Sequence, residues 1–72
     1  MNRVEVSYMH GEYPSTRTDF LEGLKVGADF DEPREGLLFF KIWANTRGKE
    51  QTFSVPADSV ISWKIEIDKR GN

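Results

Sequence analysis

Cysteine is absent from this sequence, and histidine occurs once, at His10. No disulfide or thiolate-held metal can therefore staple the chain, and any mechanism built on two histidines is excluded. The lack of cysteine fits a reducing, cytoplasmic setting. Long apolar runs are missing as well. None approaches the ~20 residues of a membrane-spanning helix, and Met1-Asn2-Arg3-Val4-Glu5 lacks the apolar core of a secretory leader. The expectation is a soluble protein with no membrane association. A basic excess is also lacking: the net charge is −2, whereas generic nucleic-acid binders carry a surplus of Lys and Arg.

Catalytic patterns are equally scarce. Asp29-x-Asp31 followed by Glu32 and Glu35 superficially suggests a calcium loop, but the fifth and sixth positions are Pro33 and Arg34. An EF-hand needs an oxygen ligand and a glycine there. Gly23-x-x-x-Gly27 lacks the Gly-Lys-Ser/Thr ending of a phosphate loop. Ser15, Ser54, Ser59 and Ser62 stand in no nucleophile elbow. His10 with Glu12 is a conceivable acid–base pair, yet it lies in turn chemistry beside Gly11 and Pro14, where a solvated histidine is ordinary. The expectation is a protein that is not an enzyme and uses neither cofactor nor metal.

What the chain does have is alternation. Ile61, Trp63, Ile65 and Ile67 fall on every second position, with Ser62, Lys64 and Glu66 between them. That period of two is the mark of a half-buried strand. Val4, Val6 and Tyr8 repeat the pattern near the start, and Gln51, Phe53 and Val55 share one face of another strand. Leu37 to Ala44 is apolar on both parities, which fits a strand central in a sheet or covered on its second face by a partner. Gly48 is placed for a left-handed hairpin turn after Asn45-Thr46-Arg47, and Pro56-Ala57-Asp58-Ser59 predicts a tight turn. Thr18 to Leu24 is read as one or two helical turns, with Asp19 as cap and Glu22 at the capping-box position; Val26 to Phe30 is left as helix or strand edge.

The fold expected is mainly β (α+β at most). It is a single domain, residues 1–72, because so short a chain builds one core. The architecture is a small, strongly bent antiparallel sheet or a partly open barrel of four to five strands with one short helical turn. The segment Phe53 to Ile65 resembles the end of SH3-like and Sm-like small barrels, where a strand runs into a 3₁₀ turn and a final strand closes back. The Sm-type RNA loop has no counterpart, since Asn45-Thr46-Arg47-Gly48 lacks the surrounding pattern. In size and character the chain also looks like small phage-encoded regulators. One group of those binds bacterial RNA polymerase, blocks promoter initiation and can promote antitermination.

Binding residues follow from parity and charge. If Leu38, Phe40, Ile42 and Ala44 fill the core, Phe39 and Trp43 are left on the outer face as an aromatic patch. Trp63, on the regular apolar face, is assigned to the core. Asp19 to Glu35 carries six acids against Lys25 and Arg34, so Asp29, Asp31 and Glu32 belong to a local acidic segment suited to a basic partner. The bland alternatives are that these acids merely solvate a loop and that Phe39 and Trp43 are covered within the chain. Tyr8, Tyr13 and Arg17, with His10 and Arg3, form an aromatic–basic set suited to stacking on single-stranded nucleic acid. Beyond Arg3 and Arg17, only the distant Lys69 and Arg70 add charge to it. Three functions are expected, the first favoured and the other two on a level: a regulator docking on a larger protein such as host RNA polymerase; an Sm- or OB-like single-strand binder; and a homo-oligomer binding a small molecule such as a nucleotide between subunits.

Overall fold

A computed structural model describes residues 1–68. The chain is mainly β: β1 (Asn2–Met9), β2 (Thr16–Gly23), β3 (Lys25–Arg34), β4 (Leu37–Thr46), β5 (Lys49–Pro56), a 3₁₀ turn (Ala57–Ser59) and β6 (Val60–Glu66). The strands form two antiparallel three-stranded sheets, ordered β2-β1-β6 and β3-β4-β5. The sheets do not close into a barrel, and β5 and β6 lie at their ends.

The turns follow from residues that tolerate positive φ. Thr46 pairs with Lys49, leaving Arg47 (φ 51°) and Gly48 (φ 83°) as the two-residue tip of a β4–β5 hairpin. Two successive positive φ values match the right-handed twist of the flanking strands. Gly36, at φ 82°, closes the β3–β4 connection in the same way. The single helical turn falls at Ala57–Ser59, where the Ser59 hydroxyl donates to the Pro56 carbonyl at 2.7 Å.

Thr18 to Leu24 corrects the helical expectation. Residues 16–23 pair with β1 over its whole length, so an eight-residue ladder satisfies backbone groups that one helical turn would leave open. Asp19 caps nothing; it faces inward and accepts a hydrogen bond from Tyr8. The added strand raises the count to six. β2 and β3 are separated only by Leu24, whose N–H donates to the Asn45 carbonyl at 2.9 Å and whose carbonyl accepts from Asn2 Nδ2 at 2.9 Å. A Cβ on Gly23 would stand 2.8 Å from the Asn45 carbonyl oxygen, so this corner requires a residue without a side chain.

The core lies between the two inner faces. Val4, Val6 and Tyr8 from β1 meet Phe40 and Ile42 from β4 and Val55 from β5, with Leu21, Val26, Ala28, Phe53 and Val60 packed around them. Parity within Leu37–Ala44 holds for Phe40, Ile42 and Ala44, all buried, whereas Leu38 stays about half exposed. Trp63 departs from its core assignment. Its partner across the ladder is Val6, so it faces inward and packs on Phe40 (centroids 5.4 Å). It remains half exposed, because among the described residues no strand lies beyond β6.

Candidate functional site

The outer face of β3-β4-β5 is set by register: Asp31–Phe39–Pro56, Asp29–Lys41–Ser54 and Gly27–Trp43–Thr52 form its rows. Trp43 lies across Gly27, where an added Cβ would sit 2.4 Å from the indole ring. Its Nε1–H donates to Asp29 Oδ2 at 3.3 Å. The ring is thereby laid flat along its own sheet and is half-buried, as is Phe39. Asp29, Asp31 and Glu32 are exposed on β3.

Phe39 also belongs to a groove of about 320 Å³ lined by Leu37, Leu38, Phe39, Pro56, Ala57 and Asp58. It runs between the start of β4 and the 3₁₀ turn. Leu37 and Leu38 are both about half exposed there, and Asp31 neighbours Phe39 across the ladder. The result is an apolar trough edged by carboxylates. The sequence reading took in Phe39 and the acids of β3 but missed Leu37, Leu38 and the contribution of Pro56-Ala57-Asp58. Pairing of Phe39 with Pro56 is what joins these segments. Phe30, 67% exposed, stands edge-on to Phe40 (centroids 5.5 Å) and continues apolar surface from the inner face outward.

The aromatic–basic set is brought together only in part: His10 stands edge-on to Tyr8 (centroids 6.4 Å) and Arg17 is opposite Tyr8 across the ladder. Tyr8 is buried, with its hydroxyl bonded to Asp19 at 2.5 Å, so its ring is not open to a stacking base. That hydrogen bond, then burial and the Asp19 charge, raise the Tyr8 phenol above its ordinary pKa, with Arg17 opposing. Tyr13 is 85% exposed in the β1–β2 connection. Arg17 is exposed and opposite Tyr8 on β2. Arg3 lies on the other face of the sheet, 3.8 Å above the Phe20 ring. Lys69 and Arg70 lie outside the described residues.

A second hollow of about 310 Å³ is lined by Glu22, Ala44, Thr46, Arg47, Lys49 and Gln51. Both signs of charge line it, so it favours no single class of ion. Among the described residues, no group of three or more His, Cys, Asp or Glu is arranged to hold a metal. Among the described residues, no helix is long and apolar enough to cross a membrane. No protein-family model matches the chain, and no curated protein or solved structure shows significant similarity to it.

Proposed function

We propose that this protein is a non-enzymatic regulator that docks on a larger protein, taking an apolar, basic segment of its partner into the trough formed by Leu37, Leu38, Phe39, Pro56 and Ala57. The observation that carries this reading is the coincidence of an apolar groove with exposed carboxylates at Asp58 in its lining and at Asp31 across the ladder from Phe39. Apolar side chains entering such a groove supply affinity, and the acids select a cationic flank and speed encounter. A volume of about 320 Å³ is at the small end for ligand sites and suits a few side chains of a peptide. Trp43 and Asp29 lie farther along the same outer face and extend the contact. The strand–3₁₀–strand ending supports an SH3-like, partly open barrel. The chain's likeness in size and character to phage-encoded regulators makes bacterial RNA polymerase the first partner to test.

The test is affinity capture from bacterial lysate with the tagged 72-residue chain and with Leu38→Asp, followed by mass spectrometry. Leu38 is exposed enough for the variant to fold. One stoichiometric partner with the wild type, reduced at least about tenfold in the variant, supports the groove. Equal recovery by both, or no partner with either, sinks it. Binding of labelled single-stranded DNA or RNA at low salt, weakened by Tyr13→Ala and Arg17→Ala but not by Leu38→Asp, would replace this reading with a nucleic-acid one.

A further inference from the structure

β6 hydrogen-bonds to β1 on one side and is the last strand of its sheet, so its outer edge presents unpaired backbone groups. Its inward side chains are also left uncovered. Trp63 and Ile65 sit opposite Val6 and Val4 in the ladder, and those valines are 1% and 0% exposed, yet Trp63 is 50% and Ile65 39% exposed. Ile67, next on that parity, is 56% exposed. The side chains point the right way; among the described residues no strand lies outside them to cover them.

We propose that the neighbour is β6 of a second copy, paired antiparallel about a two-fold axis at Ile65. Antiparallel self-pairing centred on that residue sets Ile65 against Ile65, Trp63 against Ile67 and Lys64 against Glu66, each of the latter two pairs occurring twice. The apolar face therefore meets an apolar face, and both charge pairs are of opposite sign, as cross-strand stability requires. A dyad at Lys64 or at Glu66 would set that charge against its own copy, and one at Trp63 would pair Lys64 with Ser62; only the dyad at Ile65 pairs opposite charges. A two-fold contact of this kind closes at two subunits.

Of the other free edges, β2 carries charge on its inward parity at Arg17 and Asp19, and the remaining two do not offer this match either. The exposed end of β3 carries Asp29, Asp31 and Glu32 with Pro33, so a second copy is repelled and a donor is absent. β5 ends in Pro56, and its inward Val55 is already covered within the chain. β6 has no proline and no charge on its inward parity. The register shift between Ser7 and Tyr8 affects only its first residues. The β6 edge is separate from the Leu37–Phe39 groove, so either can fail without the other.

The experiment is sedimentation of the 72-residue chain from 5 to 500 µM, with Lys64→Glu, Glu66→Lys and the double exchange measured alongside. Circular dichroism and thermal melts establish that each variant folds. A wild-type dimer is expected, with the dissociation constant raised at least about tenfold in each single variant and returned toward the wild-type value in the double exchange, because two symmetric pairs change sign together. Ile65→Lys, which puts like charges on the axis, is expected to be a folded monomer. A wild-type monomer at 500 µM overturns the proposal. So does a dimer indifferent to the single exchanges, a double exchange that fails to recover, or a series of species larger than two, which would mean heterologous edge pairing.

Discussion

Trp43 and Gly27 show how one absent side chain fixes another's position. The indole covers Gly27 and bonds to Asp29, so a methyl group at position 27 must displace the ring. Gly27→Ala is expected to cost roughly 1–3 kcal/mol, as overpacking does, measured by urea unfolding, with a red-shifted Trp43 emission. Unchanged stability and emission would contradict the geometry. Tyr8 makes a pH-dependent contribution. Its native pKa is raised, chiefly by the bond to Asp19, so the fold favours the neutral phenol. That stabilisation is complete below the unfolded value of about 10 and is lost as pH rises toward the higher native one. Tyr8→Phe is expected to lower stability at neutral pH and to flatten this alkaline loss. A stability curve between pH 9 and 12 that keeps its slope in Tyr8→Phe would refute the assignment.

At the scale of elements, turns were legible and the second strand was not. Gly48 stands out because hairpin tips need positive φ, and it takes φ 83°. Gly48→Ala is expected to destabilise by about 1 kcal/mol or more, since a Cβ strains that conformation while gaining no contact. Thermal denaturation measures this, and a neutral result would place the turn elsewhere. Thr18 to Leu24 misled because Asp19 and Glu22 have capping spacing and Phe20, Leu21 and Leu24 can share a helical face. The alternating pattern there is weak: Leu21 faces Val4 in the core, but the next inward residue is the polar Asp19. Asp19 is tolerated inward because Tyr8 donates to it, a partner eleven residues away that no local pattern names. The same non-locality hid the groove, whose walls are Leu37–Phe39 and Pro56–Asp58.

The whole molecule is thin, 41 × 28 × 14 Å, with a radius of gyration of 13.2 Å against about 11 Å for a compact chain of this length. Two sheets of three strands enclose few residues, and Ile42, Val4 and Val6 are the largest side chains fully buried. A domain of this size holds about 4–11 kcal/mol of net stability. Ile42→Ala, costing about 2–5 kcal/mol, is expected to lower the melting temperature by about 8 °C or more, at about 4–8 °C per kcal/mol. A loss of a few degrees would mean the core is not centred on Ile42.

The β class, the inward parity of Val4, Val6, Phe40 and Ile42, and the glycine-led turns were determined by the sequence alone, because alternation and φ preference act within a few residues. Only the tertiary structure decided that Tyr8 is enclosed while Trp63 is not, and that Phe39 joins a groove. A strand's own pattern states which way a side chain points. Whether water reaches it depends on what the opposite sheet, or a further strand, places above it.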